Sequence, residues 1–510
     1  MKTTRLSLLL SAVLLVSCTK ELVCPAGQTD CSGSCVPLLS DARNCGACGK
    51  TVGPLEVCSM GAPACGPGIA DCGGACTDLA RDADNCGACG SACAPADFCT
   101  TAGGTTGCLA SCPAGFTACG RACVDTLADR FNCGACNRAC AAGEACRAGA
   151  CRADLQVACY ATNEVVPVTA ALAPAGPSRT TPAGPGFLAI LGGAVYAANG
   201  YPSASLSVLP FDPALLSRHV PLTGSDLEGV IAHENVLLVS NAFVGSLVVA
   251  APSGTVLDEI AMPRQASGPN PRGAAVLGPT AYLPLYGNGT GATSGQSIAQ
   301  VDLSGLGACV AGTATSCGAV AGELDLLGVP GASDAPGLPF PSAALTVGGS
   351  VYVTLANLAP DTLSCGPGCT YTGYVKPAGD GKLAVVNPVA AQRVSVVNLP
   401  GCGNPGALAL SGSTLWVACG SFSYPALAPP ALLPVNLAVN PPAAGAPLPL
   451  PGMVPGKLAF CGGVGYVTDQ GSGAVVRFDP GTRAVEAAVT VCPTAVPAGW
   501  AWAADVACTP

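Results

Sequence analysis

One six-residue phrase, Asn-Cys-Gly-Ala-Cys-Gly, stands at 44–49 and again at 85–90, and returns at 132–137 with Asn137 in the last place. Around it runs a wider framework. The first copy holds Cys24, Cys31, Cys35, Cys45, Cys48 and Cys58; the second holds Cys65, Cys72, Cys76, Cys86, Cys89, Cys93, Cys99 and Cys108; the third holds Cys112, Cys119, Cys123, Cys133, Cys136, Cys140, Cys146 and Cys151. Repetition at a period of roughly 40 to 47 residues marks a tandem array of small units. Units this small cannot bury a sufficient core, so cross-links must hold them. Of 33 cysteines, 24 precede Tyr160, which places the chain in an oxidising compartment.

Copy one has Val52 where the others have Cys93 and Cys140, and it also lacks a counterpart of Cys108 and Cys151. Cysteines that vanish together are expected to pair, which predicts Cys93–Cys108 and Cys140–Cys151, unless Cys65 closes copy one instead. Short loops favour Cys309–Cys317 and Cys365–Cys369. Setting Cys18 aside leaves an even number in every group, as a fully bridged exported chain requires. Zinc is the alternative for the Cys-x-x-Cys pairs Cys45/Cys48, Cys86/Cys89 and Cys133/Cys136. Against it, no histidine occurs before His219 and each full copy holds more cysteines than one tetrahedral site needs. Each copy also repeats Asp-x-x-Asn before its Cys-Gly, at Asp41/Asn44, Asp82/Asn85 and Asp129/Asn132, a pattern that reads as Asx turns. Calcium held by these carboxylates, with Asp78 and Asp84, is the competing reading, weakened because hard cations want about six or more oxygens.

The N-terminus carries Lys2 and Arg5, then an apolar run from Leu6 to Val16, the pattern of an export signal over 1–17. It ends at Leu15-Val16-Ser17-Cys18, which resembles the lipobox of bacterial lipoproteins. The resemblance implies cleavage before Cys18, lipidation of that cysteine, a short linker at 18–23, and an outer-membrane or cell-surface destination. Beyond Cys18 no apolar run approaches the ~18 residues of a membrane span. A net charge of −9 with only 10% charged residues excludes nucleic acid as a partner class.

The modules divide as 24–64, 65–111 and 112–152. The third, DRFNCGACNRACAAGEACRAGAC, is similar to the motif of the stigma-specific Stig1-like cysteine-rich family, and DADNCGACGSAC of the second matches the same core. The resemblance implies an extracellular, disulfide-held, non-catalytic module. Such arrays also resemble those of myxobacterial surface lipoproteins.

From residue 153 to 510 the composition turns to Val, Leu, Ala, Gly and Pro in short apolar runs bounded by turn residues, an all-β signature. A phrase repeats: FLAILGGAVYAANG, GVIAHENVLLVSNA, AAVLGPTAYLPLYGNG, AALTVGGSVYVTLAN, ALALSGSTLWVACGS and KLAFCGGVGYVTDQGS. Each reads as strand, tight turn, strand, and most are followed by a third and fourth strand. This spacing predicts a seven-bladed β-propeller, with the last blade built from VACYATNEVVPVTAAL and the C-terminal AGWAWAADVAC together. Six or eight blades, or paired sandwiches, would also fit. Cys159 is expected to lock the closure by bridging to Cys508, Cys492 or Cys461. The phrases resemble those of YVTN-type surface propellers.

Candidate channel ligands are the residues ending the second strands: Asn199, Asn241, Asn288, Asn357 and Asp469. Turn propensity explains the same residues without chemistry. His219 and His233 belong to no nucleophile motif, and no G-x-S-x-G or H-E-x-x-H occurs. Trp500 and Trp502 alternate and are expected on a packing face between blades. The expectation is a lipid-anchored, non-enzymatic binding protein, its modules a stalk presenting a propeller to a surface protein, polymer or small ligand, with no resident cofactor. A metal-dependent propeller hydrolase or lactonase, with calcium in the channel, and a structural envelope component are the alternatives.

Overall fold

The computed structural model describes residues 29–31, 35–36, 38, 45–51, 56–59, 62–65 and 70–509, the last with gaps at 74, 103–104, 130, 141–143, 148, 154, 192, 201–202, 212–215, 225, 264–268, 288–294, 367–368, 391–392, 421–428 and 493–501. The export signal, Cys18, Asn288 and Trp500 therefore lie outside the described residues. The chain forms two compact units, Met1–Arg138 and Ala139–Pro510. The division falls inside the third cysteine copy and not at 152/153. Only one residue separates the copy's last strand, Ala150–Ala153, from Leu155–Cys159, so the chain has no linker there.

In the first unit the bridges interlace. Cys31–Cys48, Cys72–Cys89 and Cys119–Cys136 are equivalent and span the same separation of 17 residues. Cys86–Cys99 and Cys93–Cys108 follow in copy two, and Cys112–Cys123 opens copy three. Within copy two each loop starts inside the previous one, and in copy three Cys119 lies inside the Cys112–Cys123 loop, so these bridges cannot open their segments alone. Both cysteines of the pair Cys86/Cys89 are consumed this way, by different partners, and neither is held as a thiolate for zinc.

The repeated phrase is a backbone device. Gly46, Gly87 and Gly134 all have φ between 73° and 79°. The final residue is left-handed too, with Gly49 at 74°, Gly90 at 76° and Asn137 at 61°, which is why only Asn replaces Gly there. Asn85 and Asn132 fix that turn, their side-chain carbonyls accepting from the Gly90 and Asn137 N–H at 2.8 Å. Asp82 accepts from Asp84 N–H at 2.8 Å and Asp129 from Phe131 N–H at 2.8 Å, the geometry of Asx turns. Neighbouring copies share one sheet, Cys99 pairing with Ala122, and Arg81 reaches Asp129 at 2.5 Å.

Copy one shows why Val52 and a second absence travel together. Cys99 faces Cys108 across one hairpin and Cys146 faces Cys151 across another, whereas Cys58 faces Pro63. Pro63 thus stands where the missing cysteine would be.

The second unit opens with the hairpin Glu144–Arg147 and Ala150–Ala153, near which Cys140 bridges Cys151. The rest is an all-β propeller of seven antiparallel sheets. Their innermost strands are Pro185–Leu191, Leu227–His233, Ala275–Leu277, Pro341–Val347, Ala407–Ser411, Pro455–Cys461 and Ala503–Cys508, for blades 1 to 7. Blade 7 takes its inner strand from the C-terminus and its other three, Leu155–Cys159, Glu164–Val168 and Arg179–Thr180, from the start of the unit. Seven apolar cores alternate with the blades. In blade 2, Val236 and Leu238 pack toward blade 3 while Leu237 and Val239 pack toward blade 1. Second strands are therefore apolar on both faces, which explains continuous runs such as Val-Leu-Leu-Val in place of alternation.

Two bridges staple the closure to blade 6: Cys159–Cys492 and Cys461–Cys508. Cys508 faces Leu155 at the far end of the pair from Cys159, so those two cannot meet. Cys309–Cys317 is bridged within a single connection, whereas Cys402, before the inner strand of blade 5, bridges Cys419 at the end of that blade's second strand, Thr414–Cys419. Cys365 is next to last in Leu358–Gly366 and Cys369 opens the facing strand Cys369–Pro377, their side chains lying outside the described residues.

Closing a loop of 333 residues removes far more unfolded-chain freedom than closing one of 8. Replacing Cys159 and Cys492 by Ser is expected to cost roughly 2–5 kcal/mol, read from the urea midpoint. The matching Cys309/Cys317 replacement is expected to cost less, and the reverse order would refute ring closure as the source. Blades 2 and 3 meet backbone to backbone: a Cβ on Gly229 would lie 2.6 Å from Gly273 Cα. Gly229→Ala should destabilise by about 1–3 kcal/mol in the same measurement.

Candidate functional site

Four inner strands carry a register shift near their first residue: between Pro185 and Phe187, Leu227 and Gly229, Pro341 and Ala343, and Pro455 and Leu458. A bulge leaves one residue without a partner and re-aims its side chain. The skipped residues are Gly186, Glu228, Ser342, and Gly456 with Lys457. All five line one cavity of about 330 Å³ at a mouth of the channel. The second strands supply the hydroxyls that make the bulges tolerable: Ala343 N–H donates to Thr354 Oγ1 and Lys457 N–H to Thr468 Oγ1, each at 2.9 Å.

Four ionic side chains and several rings complete the cavity. The Arg272 guanidinium lies 3.8 Å above the Tyr286 ring and 3.8 Å from Glu228 Oε1, too far for a tight pair. Its Nε is buried without a hydrogen-bond partner, as is Gln470 Oε1 across the cavity. Lys457 Nζ sits 4.6 Å above the Phe187 ring. Burial pulls its ammonium down, with Asp505 opposing. Asp226 is pushed up to about 6 by burial and by Glu228, Arg272 opposing. Trp502 packs on Tyr160 with centroids 4.7 Å apart. Deeper in the channel, Asp505 accepts from Leu188 N–H at 2.8 Å and Val506 N–H at 2.7 Å. Burial holds it near 6 as well, while Lys457 and those two N–H groups draw it back. The carboxylates of Asp226, Glu228 and Asp505 do not converge on one ligating point.

The described residues among those expected to ring the channel, Asn199, Asn241, Asn357 and Asp469, do not. Asn199 is buried and its amide donates to Ser205 Oγ at 3.0 Å and Ser207 Oγ at 2.7 Å. Asn241 donates to Thr223 O at 2.7 Å, and Asp469 accepts from Val454 N–H at 2.8 Å. Asn357, at φ 53°, donates to Asp334 Oδ2 and Asp380 O, both 2.7 Å, two residues beyond its strand. The physical reason is position. A second strand stands one ladder back from the axis, and its last residue serves the connecting loops. Trp502 packs against the core between blades 7 and 1, as expected, and also lines the cavity; Trp416 fills an inter-blade core against Phe478 at 5.3 Å. His219 lies on the outer strand of blade 1, its Nδ1 2.8 Å from Ser207 Oγ, and burial lowers it. Sequence reading passed over the mouth itself. Its signal was a charge placed at the start of an apolar phrase, as in LEGVIA, GKLAF and AADVAC.

Fold and bridges together define an extracellular type of protein, a disulfide-rich region followed by a β-propeller. Residues 102–154 match the Stigma-specific STIG1-like protein family. No curated protein matches the chain. Among solved structures, hydrazine synthase of Kuenenia stuttgartiensis is 14% identical, with 62% of this chain and 89% of that one covered and a TM-score of 0.45. A functionally unknown protein of Desulfotomaculum acetoxidans is 11% identical, covering 70% and 98%, TM-score 0.46. Streptogramin B lyase is 13% identical, covering 59% and 81%, TM-score 0.40.

A carboxyl raised from 3.8 to about 6 binds more protons folded than unfolded between those values. Stability from this source is fully present below pH 3.8 and is lost as pH rises through about 6. Asp226→Asn is expected to raise the melting temperature at pH 7 and leave it unchanged near pH 4. A fall at pH 7 would show that the ionised carboxylate stabilises the mouth.

Proposed function

We propose that this chain is an exported, lipid-anchored surface protein that recognises a small ligand at the channel mouth of its propeller. The observation that carries the reading is the set of bulged inner-strand residues around one cavity that keeps buried polar atoms unsatisfied. Unpaired buried polar groups cost about 1–3 kcal/mol each, a cost that a bound ligand offsets. The Leu-Val-Ser-Cys18 phrase supports anchoring, in the manner of myxobacterial surface lipoproteins, and the bridged modules suit an exposed segment between anchor and propeller in chain order. A non-enzymatic role is favoured because the mouth offers no activated nucleophile. A metal-dependent hydrolase is disfavoured by carboxylates that do not converge and by Arg272 and Lys457 beside them.

Cys18→Ser is expected to abolish incorporation of labelled fatty acid and release the protein from the membrane fraction. Retained labelling would remove the anchor from the reading. For recognition, tryptophan fluorescence of the full chain in detergent is followed against metabolites, saccharides and divalent cations. A saturable change lost in Trp502→Phe is expected; absence of any such change across the panel would remove the mouth as a binding site.

A further inference from the structure

The mouth holds two cations and two carboxylates that leave one another largely unused. Arg272 and Glu228 stand 3.8 Å apart, and Arg272 Nε points to no acceptor. Lys457 Nζ donates to no described residue and the Asp226 carboxylate accepts from none, though both line the cavity. Opposite charges this close inside a half-buried pocket would ordinarily collapse into bidentate pairs. Here they are held apart by their supports. Arg272 is pinned on Tyr286, itself packed on Phe340 at 5.2 Å, and Lys457 on Phe187.

A lone anion would suit Arg272 and Lys457 but meet Asp226 and Glu228. A lone cation would meet the reverse conflict. An uncharged polyol would bring no counter-charge to any of the four, leaving Arg272 and Glu228 as a loose 3.8 Å pair and Lys457 with Asp505. We infer that the mouth takes a small zwitterion, a molecule with a carboxylate and an ammonium a few bonds apart such as a free α-amino acid, with Arg272 receiving the carboxylate and Asp226 with Glu228 the ammonium. This rests on the mouth being the binding site. The Arg272 guanidinium on the cavity wall offers the planar fork of donors that a carboxylate fills, and Trp502 with Tyr160 supplies an apolar wall for a side chain. A volume of about 330 Å³ matches a single small molecule and not a polymer segment.

The test is calorimetry on the full chain in detergent with glycine, L-alanine and L-phenylalanine, against 3-phenylpropionate, 2-phenylethylamine and glucose. At least one amino acid is expected to bind, with the two single-charge analogues at least tenfold weaker than L-phenylalanine. Arg272→Gln is expected to weaken the amino acid at least tenfold and leave 2-phenylethylamine unchanged; Asp226→Asn should do the converse with 3-phenylpropionate. Arg393→Gln, an exposed cation on blade 4, should match the unaltered chain. Equal binding of a single-charge analogue overturns the inference. Glucose binding at Trp502 without any amino acid overturns it while sparing the mouth, whereas no change at Trp502 with any compound removes both.

Discussion

A four-stranded sheet that is apolar on both faces has no stable existence alone, and that constraint organises the whole second unit. Each sheet must lie between two others, so the arrangement has to return to its starting point. The seven cores show the solution, each shared by two adjacent blades, with Ala158, Val165 and Ala504 of blade 7 meeting Leu188, Val195 and Ala197 of blade 1. Because blade 7 is assembled from both ends of the unit, the ring is held by hydrogen bonds between its first and last strands. The bridges from Cys159 and Cys508 add covalent ties on either side of that seam.

The same geometry makes the site. Inner strands converge on the axis, where only small side chains and bare backbone can approach, as Gly229 and Gly273 do. Register shifts at the start of these strands turn selected residues toward the opening. Glu228, Ser342 and Lys457 reach the cavity through the same irregularity in three different blades. Function is thus written in the departures from the repeat, on a scaffold that the repeat keeps rigid.

Much of this was legible in the amino-acid sequence. Strand–turn–strand phrases and an orphaned C-terminal strand were enough for an all-β propeller of seven blades, because apolar runs and turn residues are local signals. In the cysteine framework Cys93–Cys108 and Cys140–Cys151 were readable, because repeats reveal which positions vary together, whereas pairings present in every copy, such as Cys72–Cys89, leave no such trace. The partner of Cys159 was not, since three candidates remained and only the closed ring brings Cys492, two residues beyond the outer strand of blade 6, beside it. The mouth was missed for a related reason. Asn199, Asn241 and Asp469 stand out by recurring, whereas Glu228, Arg272, Lys457 and Asp505 differ from blade to blade, and their convergence exists only once the ring is closed.

The seam also bears on how such a chain comes to maturity. Crossing a membrane from its N-terminus, it delivers the cysteine copies first, and their partners arrive within a few dozen residues. Cys159 emerges next to them, yet its partner follows 333 residues later. Throughout that interval it must avoid the thiols and disulfides immediately before it, in a ring that cannot close until its final strand has crossed. The strand Ala503–Cys508 therefore decides whether the blades before it are trapped or completed, and a product truncated ahead of it would be left with an unpaired sheet edge and an idle Cys461 thiol.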